Sequence, residues 1–275
     1  MNTDLNFLSK NDIAAKAPVI LYNNPTRDLS NRYTFASTET VIDDMTTLGW
    51  MPTEVHQRKA KKGFSKYSPH MVKFSNPDLR ISDGEGDLSF PQIVLQNSYD
   101  GRSSLKFTAG IFRLVCSNGL IIATAKFGEM SLKHKGYSFD EMRKLVSDRT
   151  ESIPEQIQVM NDMKGRMLTA DEREHLAMQA ILIRSNVPAE NLDEFKGKID
   201  KLTLHDLLTP LRNEDKGNDL WSTYQVTQEK MMNGGFRVQL GMDAKIRKVK
   251  AIRSFERDVD YNKQLFESAR ELMVA

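Results

Sequence analysis

The side chains with the most chemical potential crowd into residues 91–136. Asn97, Ser98 and Asp100 stand at the end of one apolar run and Asn118 at the end of another. His134-Lys135-Gly136 closes the stretch. Polar groups held at the ends of strands are a common way to build a site on a rigid scaffold. Asn97, Ser98, Asp100, Asn118 and His134 are therefore the candidates for catalysis on a phosphorylated or nucleotide substrate. Asx and Gly residues are also what tight turns demand, so a purely architectural role stands beside the catalytic one. Cys116 with His134 as base would make a nucleophile pair. Nothing local lowers the thiol pKa, however, and Val115 precedes it in an apolar run, so a packing role is expected.

His134, Lys135 and Gly136 also suit an anion site. They precede a helix opened by Ser138, and helix N-termini attract negative charge. An ordinary strand-to-helix turn would use the same residues. No G-x-x-x-x-G-K-[ST] pattern is present, which gives no support to ATP chemistry. The other histidines, His56, His70, His175 and His205, are scattered without metal-ligand spacing, so no metal and no cofactor is expected.

Charge is segregated along the chain. The 275 residues carry a net charge of only +2, yet residues 55–77 contain no acid and hold Arg58, Lys59, Lys61, Lys62, Lys66 and Lys73. Between Arg237 and Arg253, the cations Lys245, Arg247, Lys248 and Lys250 are opposed only by Asp243. Clustered cations of this kind neutralise phosphates whatever the total charge. Solvated loops would have the same composition. Trp50, Phe64, Tyr67, Phe74, Phe236 and Phe255 intermix with these stretches, as in grooves that stack bases while tracking a backbone. Nucleic acid, single-stranded DNA first, is the expected partner, and self-association is a further alternative. With 39% apolar residues, one cysteine and no apolar run of roughly 18 residues, a cytoplasmic protein without a disulfide framework or membrane span is expected.

The elements that must position these groups read as α+β, with an antiparallel β-rich N-terminal half containing a short helix and a helical C-terminal half. Residues 1–30 lack a sustained period and predict an irregular arm. Residues 31–136 predict the β-rich core and 137–275 a mainly helical region packed on it. Val41, Ile42, Met45 and Leu48 define a helix stopped by Gly49, followed by strands at 50–59 and 70–75. Asp100-Gly101 between Ile93/Leu95 and Leu105/Phe107 is a hairpin signal. Residues 111–117 fit either a continued strand or a helix capped at Asn118-Gly119. In a straight meander the two turns lie on the order of 45 Å apart, so only a helix, or a bend at Gly110, would unite Asp100 with Asn118. Ser138-x-x-Glu141 and Thr169-x-x-Glu172 are capping boxes. Helices are also predicted around Leu220–Met231, stopped by Gly234-Gly235, and from about Asp258 onward.

Several of these segments resemble a known family. The motifs are Leu95-Gln96-Asn97-Ser98-Tyr99-Asp100-Gly101, Phe112-Arg113-Leu114-Val115-Cys116-Ser117-Asn118-Gly119-Leu120 and His134-Lys135-Gly136. Asn218-Asp219-Leu220-Trp221-Ser222-Thr223-Tyr224-Gln225 through Gly234-Gly235, and Arg253-Ser254-Phe255-Glu256-Arg257-Asp258-Val259, complete the set. Together they resemble the YafZ/YfjQ-like proteins of prophages and plasmids, a domain of unknown function (number 932). The resemblance runs from about Tyr33 to the C-terminus. It implies a protein carried by a mobile element and names no reaction. A nucleic-acid-binding accessory protein, loosely similar in element order to single-strand annealing proteins, is the favoured expectation. An enzyme built on the polar cluster and an anti-defence effector binding a host protein are the alternatives.

Overall fold

A computed structural model describes residues 5–23, 37–58, 66–79, 81–82, 88–99, 105–113, 130–132, 138–188, 191–195, 198–239 and 245–274. Two compact units divide the chain, Met1–Ile153 and Pro154–Ala275. The boundary falls between Ile153 and Pro154.

The first unit opens with a helix, α1 (Lys10–Lys16), and a 3-10 turn at Pro18–Leu21. An irregular arm was expected over this stretch. The helix is only seven residues long and buries one side chain, Ile13, so it has no period to read. It is fixed by a reciprocal cap in which Ser9 and Asp12 satisfy each other's backbone N–H groups. Helix α2 (Thr38–Thr47) buries Val41, Ile42 and Met45, and Gly49 leaves it at φ +84°. An antiparallel sheet follows, formed by β1 (Met51–Gln57), β2 (His70–Ser75), β3 (Ile81–Ser82), β4 (Leu88–Asn97), β5 (Leu105–Arg113) and β6 (Met130–Leu132). The order is β1-β2-β4-β5-β6, with β3 against β4. Pro91 sits within β4 without breaking the ladder. On one side it faces Ile111, and on the other it falls between the stretches paired with β3 and with β2. Trp50 and Phe74, considered above for base stacking, are core side chains.

After this sheet comes α3 (Phe139–Glu151), with Met142, Leu145 and Val146 buried. The second unit comprises α4 (Ile153–Gly165, entered across the boundary), α5 (Ala170–Ser185), α6 (Leu192–Phe195), α7 (Lys201–Leu208), α8 (Leu220–Asn233) and α9 (Phe255–Val274). A two-stranded ribbon, β7 (Arg237–Val238) with β8 (Arg247–Lys248), joins α8 to α9. Helices α5, α8 and α9 pack on one another, with Tyr224 of α8 edge-on to Phe266 of α9. The predicted stripe along α4 buries Met160 and Met163, whereas Met167, just past its end, is 62% exposed. Helix α8 buries polar side chains as well, among them Glu229, which is met by the Arg212 guanidinium at 2.5 and 2.8 Å. Among the described residues no helix is long and apolar enough to cross a membrane.

Candidate anion and nucleic-acid interface

Asn97 and Ser98 lie at the end of β4 and are buried. Asn97 donates from Nδ2 to Thr38 Oγ1 at 2.9 Å, and its Oδ1 accepts the Ser98 N–H at 2.8 Å. Thr38 Oγ1 is 2.8 Å from His70 Nε2, and His70 Nδ1 is 2.9 Å from the Ser68 carbonyl. A carbonyl only accepts, so Nδ1 carries the proton and Nε2 accepts from the Thr38 hydroxyl. Burial pushes the His70 pKa down to about 4, which keeps the ring neutral and fixes that direction of donation. Tyr99 packs edge-on against His70, accepts the Thr38 N–H at 2.9 Å and donates to the Ile20 carbonyl at 3.2 Å. The network thus ties the first turn of α2 and the N-terminal segment to the sheet. It satisfies a helix N-terminus from outside, since Ser37 supplies no side-chain cap.

β5 runs through Gly110 in unbroken register from Arg113↔Ser89 to Lys106↔Gln96. Neither the bend at Gly110 nor a helix starting at Ile111 occurs, because residues 111–113 are strand. Asp100, Cys116, Asn118, His134, Lys135 and Gly136, like residues 114–117, lie outside the described residues.

The first basic stretch is distributed differently from the expectation. Arg58 is exposed just beyond β1, and the Lys66 ammonium lies 5.2 Å from the Tyr22 ring centre, beside Tyr67. Lys73 is buried instead. It stands opposite Glu54 in the β1–β2 ladder with 2.7 Å between ammonium and carboxylate, so the expected surface cation is a cross-strand ion pair. Lys59, Lys61 and Lys62 lie outside the described residues.

The second basic stretch forms a cleft of about 720 Å³. Lys248 comes from the ribbon and Lys250 from just beyond it, Arg253 precedes α9, Arg257 lies in its first turn, and Arg184 reaches in from the end of α5. Among the described residues no carboxylate lines the cleft. Lys250, Arg253 and Arg257 are exposed, whereas Arg184 is half-buried and donates to the Lys250 carbonyl. Its guanidinium also stacks 5.7 Å from the Tyr261 ring centre. Burial and the charge of Arg257 hold the Arg184 pKa below the usual guanidinium value, partly offset by Tyr261. Arginine stays charged regardless. An anion entering between the two guanidiniums would offset their repulsion, and the N-terminus of the twenty-residue α9 adds its partial positive charge. Lys245 and Arg247 are exposed on or beside the ribbon but do not line the cleft. Phe236 is core.

Gly234-Gly235 join α8 to the ribbon beside this cleft. Gly235 N–H donates to the Val249 carbonyl at 2.9 Å, and Ile252 N–H to the Met232 carbonyl at 2.9 Å, which seats the ribbon on α8. Gly234 has φ +66°, and a Cβ there would stand 2.6 Å from Val249 O and 2.7 Å from the Lys250 carbonyl carbon. Gly234→Ala is expected to cost about 2 kcal/mol or more in urea denaturation, from strain and backbone displacement together. A cost within experimental error would show that the ribbon is not seated as described.

Sequence reading missed Arg184 and Arg257 as partners of the basic stretch. Their one available signal was position: a basic residue in the last turn of α5, and an arginine inside the Arg253–Val259 motif. The 218–225 motif is architectural where described. Asp219 caps α8 by accepting the Ser222 N–H at 2.8 Å, and Asn218 accepts from Arg173 at 2.7 Å.

Comparison with known proteins places these motifs in a wider setting. The family model described as "Domain of unknown function (DUF932)" matches residues 27–266. The UPF0380 protein YafZ of Escherichia coli (strain K12) is 28% identical over 272 residues, spanning 97% of this chain and 92% of the relative. The UPF0380 protein YfjQ of the same organism gives the same identity and coverage. No solved structure matches.

Proposed function

This chain belongs to the DUF932 family, and we propose that it is a nucleic-acid-binding accessory protein that holds single-stranded DNA through the cleft of the second unit. The observation that carries this reading is a concave cleft lined by Arg184, Lys248, Lys250, Arg253 and Arg257, with no carboxylate among the described lining residues. Phosphodiester anions are the abundant ligands that such a surface fits. A flexible single strand can bend its phosphates into a cleft, whereas a duplex presents them on a wide, rigid cylinder. Arg184 is held in place by Tyr261 and the Lys250 carbonyl, so part of the ordering cost of binding is met before the strand arrives.

Salt-titrated binding tests the reading. Single-stranded DNA is expected to bind more tightly than duplex of the same length. Log K should fall with log salt at a slope of about −2 or steeper, since each single-strand phosphate contact contributes about 0.7. Binding that is undetectable, or independent of salt, would contradict the proposal.

A further inference from the structure

We infer that a second groove, which shares Gly235 with the cleft, takes an unpaired base of the same strand and favours bases that carry an exocyclic amine. The inference rests on the cleft reading and extends it. The groove has a volume of about 390 Å³, within the range of sites for small ligands. Leu202 and Ile246, both largely exposed, line it together with the buried Phe236. Asp200 and Asp206 line it too, and both are exposed.

Cleft and groove meet at Gly235, which lines both. Gly235 has φ +92°, and among the described residues nothing stands within 4 Å of where a Cβ would be. The chemistry on the two sides is complementary to the two parts of a nucleotide. The cationic cleft attracts phosphate, while the two carboxylates of the groove disfavour it and leave the groove to an uncharged, flat group. Exposed aliphatic side chains offer a face for base contact. Carboxylates accept hydrogen bonds from the exocyclic amines of cytosine, adenine and guanine, and thymine has none to give. Arg237 also lines the groove.

The experiment compares oligo(dC), oligo(dT) and an abasic phosphodiester strand of equal length on the full chain, with Leu202→Ser, Ile246→Ser and Asp206→Asn variants. All three positions are exposed, so the fold should tolerate them. The wild type should hold oligo(dC) about tenfold more tightly than the abasic strand, as one well-stacked base provides. Leu202→Ser and Ile246→Ser should erase most of that advantage and leave abasic binding unchanged. Asp206→Asn should narrow the preference for oligo(dC) over oligo(dT). Equal affinity for base-bearing and abasic strands would overturn the groove while leaving the cleft intact. So would a base advantage that survives both serine variants. Failure of every strand to bind would remove the cleft reading itself.

Discussion

Replacing Lys250, Arg253 and Arg257 together by alanine is expected to weaken single-strand binding about hundredfold at low salt, at roughly 1 kcal/mol for each lost contact. The salt slope should flatten by about 2, because three phosphate contacts disappear. All three side chains are exposed, so the melting temperature should hardly move. Arg270 on α9 is the matched control, since it is exposed and engaged with Glu267 away from the cleft lining. Its loss should leave affinity within about twofold, as a screened distant charge would. Equal losses from the triple variant and from Arg270→Ala would mean that the protein is responding to total charge rather than to the cleft. Arg184→Lys is the more discriminating single change. A lysine keeps the charge but not the planar group that stacks on Tyr261 and reaches the Lys250 carbonyl.

The second large effect is acid lability of the first unit. His70 is buried, neutral and committed as an acceptor to Thr38. Its folded pKa, about 4, lies below the value near 6.5 expected for an unfolded histidine. The unfolded chain therefore binds more protons between these values, and stability rises with pH across that window. The contribution is complete above pH 6.5 and lost as pH falls to about 4, for a total of about 3 kcal/mol. Urea midpoints measured across this range on the wild type and on His70→Gln should reveal it as a slope present in the first and reduced in the second. A wild-type midpoint that is flat from pH 6.5 to 4 would show that His70 is not held as a neutral acceptor. Thr38→Val offers a pH-independent companion. It removes the hydroxyl that serves both His70 and Asn97 and should cost about 2–4 kcal/mol at pH 7.

Much of the scaffold was legible because its signals are local. Gly49 and the Val41/Ile42/Met45 spacing mark α2, Asp100-Gly101 lies between two strands that do pair, and the Thr169–Glu172 box opens α5 as read. What resisted reading was set by partners distant in sequence. His70 looked like a stray histidine because its hydroxyl partner, Thr38, lies 32 residues earlier. Lys73 read as part of a basic run, yet its place in the central strand β2 puts it opposite Glu54. Asn97 and Ser98 read as candidate site residues just before a turn, with an architectural role favoured; both are buried, and Asn97 bonds to Thr38 at the start of α2. The cleft illustrates the same limit. Lys248 and Lys250 announced a basic stretch, but no spacing rule connects them to Arg184, whose guanidinium reaches the Lys250 carbonyl across 66 positions.

The most direct measurement is ultraviolet cross-linking of a halogenated-uracil single strand to the full chain, with the attachment points mapped by mass spectrometry. The account predicts adducts concentrated in residues 233–236 and 245–257, suppressed when irradiation is done at high salt and lost in the Lys250/Arg253/Arg257 alanine variant. Adducts confined to other surfaces, or an unchanged pattern in that variant, would contradict it.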